Sequence, residues 1–126
     1  MTLILLVLDL NNLCMKKYII LIPIYNDRES LNKLIENINS EIEGINSEIS
    51  IVVINDASSQ QIVDEYQNTE NINSFEIINM RENRGHARCI ASGLKYIFEK
   101  KEFDYVIPMD GDGEDRPEEI KNFIEL

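Results

Sequence analysis

The chain has 126 residues, of which 44% are apolar and 28% are charged, and its formal net charge at pH 7 is −11. This length and composition are typical of one soluble globular domain with its own hydrophobic core. The acidic balance argues against a nucleic-acid partner held through its phosphates, which would need a basic face, and against electrostatic docking to anionic lipid.

Residues 1–14 differ from the rest of the chain. The apolar run at residues 3–8 ends at Asp9, far short of the ~20 residues that span a bilayer, and no basic segment precedes it as in a signal peptide. The sequence Met15-Lys16-Lys17 looks like a new start. We therefore expect residues 1–14 to be a non-native or disordered extension and the folded domain to occupy residues 15–126.

The rest of the chain alternates between two hydrophobic patterns. Short, continuous apolar runs predict buried parallel strands at residues 18–22, 49–54, 75–80 and 103–109. Apolar residues at helical spacing predict helices near residues 31–42, 62–66 and 87–98, and Pro117 opens a fourth. The order β-α-β-α-β-α-β-α predicts an α/β fold with an open, mostly parallel, doubly wound sheet.

Specific residues are predicted to bound and orient these helices. Asn26 with Glu29 and Ser58 with Gln61 are expected to cap the first two helices, and Gly44 is expected to close the first. The inner face of the third helix is predicted to consist of Ala87, Ile90, Ala91, Leu94, Ile97 and Phe98.

A polar loop follows each predicted strand. These loops are residues 23–27, 55–59, 81–86 and 110–115. Because the carboxyl ends of parallel strands face the same edge of a sheet, where α/β proteins bind their ligands, we expect the four loops to converge there.

The last loop is strongly acidic. Asp110, Asp112, Glu114 and Asp115 place four carboxylates within six residues. Two Asp residues at i and i+2 can turn their oxygens toward one hard divalent cation, which in proteins commonly also binds substrate phosphates. The alternative is an ordinary surface turn, since Gly and Asp are common in turns.

Other catalytic patterns are missing from the sequence. It contains no glycine-rich dinucleotide fingerprint, no P-loop and no nucleophile elbow, and its only histidine is His86. Cys14 and Cys89 fit neither a metal site nor a disulfide framework, so we expect two reduced thiols in a cytoplasmic protein.

Four ordered loop motifs resemble a known family. Pro23-Ile-Tyr-Asn-Asp27, Asn55-Asp-Ala-Ser-Ser59, Asn83-Arg-Gly-His-Ala87 and the segment 109–118 together resemble family-2 inverting glycosyltransferases of the GT-A fold. The nearest group is the dolichyl-phosphate mannose synthase-like and bacterial polyprenyl-phosphate glycosyltransferases, and the resemblance covers residues 17–126.

The resemblance implies a nucleoside-diphosphate sugar donor, linked to UDP or GDP. Its first loop, with Pro23, Tyr25 and Asp27, would wrap the nucleoside, and Asp56 would hydrogen-bond the base or ribose. Asp110 and Asp112 would line the diphosphate and hold Mg²⁺ or Mn²⁺. Arg84 and His86 could contact phosphate at a helix start, although a structural or solvent-facing role is favoured for His86.

The sequence departs from the family at two places. Ala57 stands where the second motif usually has Gly, so we expect no positive φ there. The chain ends at Leu126, before the family's acceptor half and catalytic base. The resemblance therefore implies a donor-binding half, inactive alone, of an enzyme with a polyprenyl-phosphate acceptor at the cytoplasmic face of a membrane.

Two alternatives remain at this stage. One is an inactive nucleotide-binding remnant or interaction module, whose loops would look the same. The other is a receiver-like signalling domain, which would need an Asp at the end of the third strand, where this chain has Asn79-Met80-Arg81.

Overall fold

The computed structural model describes residues 15–62, 69–111 and 117–124. Within these ranges strands alternate with helices along most of the chain. The elements are β1 (Lys17–Ile24), α1 (Arg28–Glu41), β2 (Glu48–Asn55), β3 (Ser74–Asn79), α2 (His86–Lys100), β4 (Tyr105–Pro108), a 3₁₀ turn (Pro117–Glu119) and α3 (Ile120–Ile124).

The four strands form one parallel sheet in the order β3-β2-β1-β4. β1 is central, and its residues 18–24 are all buried. A strand covered on both faces needs apolar side chains at successive positions, which is why β1 reads as a continuous apolar run. The predicted α/β fold with a parallel sheet is confirmed.

Helices cover both faces of the sheet. Alternate residues of β1 point to opposite faces, so that Ile20 and Ile22 pack on the side of α1 while Ile19 and Leu21 pack on the side of α2. The first face carries the larger cluster and includes Leu31, Leu34, Ile35 and Ile38 of α1 together with Ile120 of α3. This double covering confirms the doubly wound arrangement.

The buried face of α2 differs from the predicted one. Cys89, Gly93 and Ile97 are its buried residues. Of the predicted inner residues, Ala87, Ala91 and Phe98 are exposed, and Ile90 and Leu94 are partly buried. The reason is Gly93: a Cβ there would lie 2.5 Å from Leu21 Cδ1, so the helix approaches the sheet most closely along its smallest residue.

The ends of α1 also correct the prediction. Its N-cap is Asp27, whose Oδ1 accepts a hydrogen bond from Ser30 N at 3.3 Å, and not Asn26. Asn26 is in the left-handed region (φ 52°), and its side chain is bonded elsewhere. The helix ends at Glu41 with Ile42 as C-cap, two residues before Gly44, which adopts a positive φ in the following turn.

Only part of the predicted second helix lies in the described residues. Ile62 lies outside any helix, residues 63–68 are outside the described part, and the Ser58 hydroxyl accepts from Asn26 N instead of capping. β4 is shorter than predicted: it spans Tyr105–Pro108, and Phe103, two residues before it, packs edge-to-face against Phe98 of α2.

Both edges of the sheet are less buried than its centre. At one edge β4 exposes half of Tyr105, whose ring stacks on Tyr18 at 5.2 Å. At the other, Glu76 of β3 contacts two residues of the α2 region, accepting a hydrogen bond from the Tyr96 hydroxyl and pairing with Lys101 Nζ at 2.7 Å. None of the helices in the described part is long and apolar enough to cross a membrane.

The contacts of Glu76 predict a pH dependence of stability. Burial raises the pKa of its carboxyl, but hydrogen bonds from Lys101 and Tyr96 and the Lys101 charge outweigh burial and hold that pKa below the ordinary value. A depressed pKa contributes stability above the unfolded value of about 4.3, and this is lost as the pH falls through the folded value.

We therefore expect Glu76→Gln to lower the thermal midpoint most above about pH 5, with a difference from wild type that shrinks below about pH 4. The control is Glu99→Gln, which removes the same charge from an exposed position of α2. A Glu76→Gln difference that is constant from pH 3 to 7 would contradict the prediction.

Candidate functional site

Loops from all four strands meet at the carboxyl edge of the sheet. The loop after β1 contacts the loop after β2 through Asn26 and Ser58. The loop after β2 contacts the loop after β3 through Asp56 and Arg84, and His86 at the start of α2 contacts Asp110 after β4. The predicted convergence of the loops is therefore observed in the described residues.

A cleft of about 350 Å³ opens at this edge. It contains an aromatic side chain, two carboxylates, an imidazole and apolar residues at its base. The lining residues are Pro23, Ile24, Tyr25, Asp27, His86, Asp110 and Gly111. Four of the residues predicted from the motifs, Pro23, Tyr25, Asp27 and Asp110, are thus brought together in one cavity.

The side chains of His86 and Asp110 are in contact across the cleft. His86 Nε2 lies 3.0 Å from Asp110 Oδ1, and the two side chains are 57% and 39% exposed. Sequence reasoning favoured a structural or solvent-facing role for His86. The structure shows that it is solvent-accessible and also one of the residues that line the cleft.

Gly111 brings the acidic loop against β1. A Cβ at this position would lie 3.1 Å from Ile24 Cδ1 and 3.3 Å from the carbonyl oxygen of Pro23. The residue is buried and its φ is not positive. Glycine therefore allows close packing of this loop against β1, and a larger residue would have to displace these neighbours by a few tenths of an ångström.

Asp56 is buried and is not one of the residues that line the cleft. Its side chain is 4% exposed, and its two oxygens accept hydrogen bonds from Arg84 N at 2.7 Å and Gly85 N at 2.9 Å. Its carbonyl oxygen accepts another from Asn83 Nδ2 at 3.3 Å. This single residue holds three consecutive residues of the loop that leads into α2.

The charge of Asp56 is stabilised by these donors. Burial raises the pKa of its carboxyl, but hydrogen bonds from the Arg84 backbone, the Cys89 thiol and the Gly85 backbone lower it below the ordinary value. The same burial, together with the carboxylate, raises the pKa of Cys89 to about 12. Cys89 is therefore a protonated donor to Asp56, and it is a free, buried cysteine.

Arg84 lies apart from the cleft lining. Its backbone N–H is bonded to Asp56, and its exposed guanidinium pairs with Glu82. The structure does not bring this guanidinium together with Tyr25, Asp27 and Asp110. Rotation about its side-chain bonds would be needed for any contact with a phosphate in the cleft.

Asn26 was missed by sequence reasoning as a site residue. Its Oδ1 accepts hydrogen bonds from the backbone and hydroxyl of Ser59 and from the backbone of Gln60, at 2.8, 3.1 and 3.2 Å. One feature of the sequence could have indicated this role: an Asn stands between two predicted ligand residues, Tyr25 and Asp27. Asn tolerates a left-handed backbone far better than most residues, so it is a common choice where a loop turns sharply.

Ala57 corrects another expectation. Its φ is 59°, so the loop after β2 needs a positive φ at the position where the family usually has Gly. An L residue in this region costs roughly 1–2 kcal/mol. The loop retains this conformation because Asp56 and Ser58 on either side are both hydrogen-bonded to neighbouring loops.

Only one of the two predicted metal ligands, Asp110, lies in the described part of the chain. Asp110 presents its carboxylate at the cleft, whereas Asp112, Glu114 and Asp115 lie outside the described residues. In the described ranges no group of three or more His, Cys, Asp or Glu side chains is arranged to hold a metal ion.

The contacts of Asp56 predict that its replacement by Asn, a residue of nearly the same size, destabilises the fold. Asp56→Asn replaces one acceptor oxygen with an NH₂ group that would face a backbone N–H, so we expect a loss of about 1–3 kcal/mol in the free energy of unfolding. Asp27→Asn is the control, since Asn caps helices as well as Asp does. Equal urea midpoints for the two variants would refute the role given to Asp56.

The positive φ of Ala57 predicts that replacing this residue with glycine stabilises the protein. Ala57→Gly should raise the free energy of unfolding by about 0.5–1 kcal/mol, because relief of strain exceeds the added chain entropy. Ala91→Gly, at an exposed position within α2, should lower it by about 1 kcal/mol. Destabilisation by both substitutions would show that Ala57 is not strained.

Comparisons with known proteins identify the family of this chain. The family model described as glycosyl transferase family 2 matches residues 19–126. An undecaprenyl-phosphate 4-deoxy-4-formamido-L-arabinose transferase of Pseudomonas syringae pv. syringae is 32% identical over 109 residues, which are 85% of this chain and 31% of that protein. An uncharacterised glycosyltransferase of Synechocystis sp. is 28% identical over 110 residues, 84% of this chain and 32% of that protein.

A solved structure shows the same fold. The crystal structure of S. aureus TarS superposes with a TM-score of 0.57 at 25% identity, over 76% of this chain and 27% of that one. The chain thus spans about a third of the length of these curated relatives. The family model covers most of the chain, including the whole described sheet apart from the first two residues of β1, and the chain therefore belongs to glycosyl transferase family 2.

Proposed function

We propose that this chain binds a nucleoside-diphosphate sugar, linked to UDP or GDP, in the cleft at the carboxyl edge of the sheet. The observation that supports this most strongly is the meeting of Tyr25, Asp27, His86 and Asp110 in one cavity between loops of a family 2 domain. Family membership also favours this function over a receiver-like signalling domain.

Each part of the donor has a chemically suitable neighbour. Tyr25 is 53% exposed and offers a ring face for stacking on a base, while the oxygens of Asp27 can accept from ribose hydroxyls. Pro23 supplies apolar contact. The start of α2, which has no side-chain cap in the described residues and carries the imidazole of His86, suits the diphosphate. Asp56, which the resemblance assigns to the base or ribose, is buried and holds the loop before α2 through Arg84 and Gly85.

The residues present suit a divalent cation at the acidic loop. Asp110 offers a carboxylate at the cleft, and we propose that Asp110 and Asp112 hold Mg²⁺ or Mn²⁺ with the diphosphate. When bound, such an ion neutralises the departing nucleoside diphosphate. His86 would keep Asp110 directed toward the cleft, and Arg84 could add positive charge after turning away from Glu82.

The proposed reaction is transfer of the sugar to an acceptor oxygen. The bond between the anomeric carbon and the diphosphate oxygen breaks, the acceptor oxygen forms a new bond to that carbon, and the nucleoside diphosphate leaves with the bonding electrons. We propose a polyprenyl phosphate as acceptor, since the Pseudomonas relative is described as acting on undecaprenyl phosphate. A phosphate oxygen is anionic near neutral pH and depends little on a general base.

The test is thermal denaturation with UDP and with GDP, each with and without Mn²⁺. A ligand at about 100 times its dissociation constant should stabilise the fold by about 2.7 kcal/mol. We expect one nucleotide to raise the midpoint only when the metal is present, and Asp110→Asn and Asp112→Asn to abolish the increase. Glu36→Gln, at an exposed position of α1, removes the same charge away from the cleft and should retain it.

The outcomes separate the parts of the proposal. Stabilisation by one nucleotide without metal would support the donor site and refute the metal. If neither nucleotide changes the midpoint of a cooperative transition, the proposed donor binding is wrong for this chain.

A further inference from the structure

We propose that Asn26 is a positioning residue, which ties the loop after β1 to the loop after β2 and so holds Tyr25 and Asp27 at the cleft. This inference rests on the proposed function, because it concerns the orientation of two residues assigned to the nucleotide. Asn26 does not line the cleft itself, and it acts through its neighbours.

The side chain of Asn26 is the centre of the contact between the two loops. Its Oδ1 accepts from Ser59 N at 2.8 Å, Ser59 Oγ at 3.1 Å and Gln60 N at 3.2 Å, while its own N–H donates to Ser58 Oγ at 2.9 Å. Four hydrogen bonds thus join one residue to three consecutive residues of the other loop. We call this set of contacts the Asn26 clasp.

Arg28 adds two hydrogen bonds to the same loop. Its backbone N–H donates to Gln60 Oε1 at 3.1 Å, and its Nη1 donates to the Gln61 carbonyl oxygen at 3.3 Å. These bonds and the three to Asn26 Oδ1 are exposed, so each contributes less than a buried one. The partly buried bond from Asn26 N to Ser58 Oγ and the acceptor role of Oδ1 carry the connection.

The backbone shows why an asparagine occupies this position. Asn26 has a φ of 52°, and Ala57 in the opposite loop has a φ of 59°. Each loop therefore contains one left-handed residue beside the contact. Asn adopts this region at low cost, and its short amide reaches the neighbouring backbone, a combination that Gly and most L residues lack.

The position of Asn26 in the chain connects the clasp to the cleft. Tyr25 and Asp27 are its immediate neighbours and both line the cavity. A change in the backbone angles of Asn26 would turn both side chains relative to His86 and Asp110. Loss of the clasp would therefore reduce the fraction of molecules with a binding-competent cleft, and the apparent dissociation constant rises in inverse proportion to that fraction.

Three substitutions separate the roles of Asn26. Asn26→Gly keeps access to a positive φ and removes the acceptor, whereas Asn26→Asp keeps both the acceptor and a residue tolerant of that region. Ser58→Ala removes one of the four bonds. We expect Asn26→Gly to weaken nucleotide binding about tenfold, Asn26→Asp to stay within about threefold of wild type, and Ser58→Ala to fall between them.

The experiment combines calorimetric titration with UDP and GDP in Mn²⁺ with amide NMR of the free protein, at a temperature where circular dichroism shows every variant folded. Asn26→Gly should expose the Ser59 and Gln60 amides to rapid exchange. Asn26→Asp, which keeps the acceptor oxygen, should retain both the nucleotide affinity and the amide protection that Asn26→Gly loses. This pattern identifies a positioning role, because a general loss of stability would not depend on whether the acceptor oxygen is present.

Three other results would contradict the role proposed for Asn26. If Asn26→Gly exposes both amides and binds nucleotide as well as wild type, the clasp does not position the site and this inference is wrong. If Asn26→Asp binds as weakly as Asn26→Gly, the acceptor is not responsible and the inference is again wrong. If wild type binds neither nucleotide, the proposed function fails together with the role for Asn26.

Discussion

The buried carboxylate of Asp56 is the interaction on which the arrangement of the loops most depends. It lies one residue beyond β2, and its two oxygens accept from the backbone of Arg84 and Gly85. A buried charge without partners would be strongly destabilising, whereas one with backbone N–H and thiol donors is stable in its ionised form. The start of α2, and with it the position of His86 opposite Asp110, follows from this bond set.

A second set of hydrogen bonds also joins neighbouring loops, on the side of β2 that faces β1. The Asn26 clasp joins the loops after β1 and β2, while Asp56 joins those after β2 and β3. The loop after β2 therefore connects its two neighbours, and the strained Ala57 lies within it. A cleft built from four loops needs such cross-links, because loops have little regular backbone bonding of their own.

The differences between expectation and structure have a common cause. The apolar pattern of α2 favoured a face that includes Phe98, yet the helix packs along Cys89, Gly93 and Ile97, where its backbone can approach Leu21. The pattern at the start of α1 favoured Asn26 as cap, yet its side chain bonds to another loop and Asp27 is the cap. Similarly, Ala57 takes a positive φ. In each case a long-range contact overrode a local preference.

The sequence by itself determined the α/β class, the parallel strands and the loops that form the site. Continuous apolar runs, helical periodicity and residues that follow strand ends are local signals, and parallel strands bring those ends together. Only the tertiary structure decided that Asp56 is buried with Arg84 and Gly85 as its donors, that the Arg84 guanidinium turns to Glu82, and that His86 reaches Asp110. The contacts of Asp56 and His86 join residues about 24 to 29 positions apart, whereas Arg84 and Glu82 are two positions apart, and no periodicity or spacing along the chain encodes the direction of a side chain toward its partner.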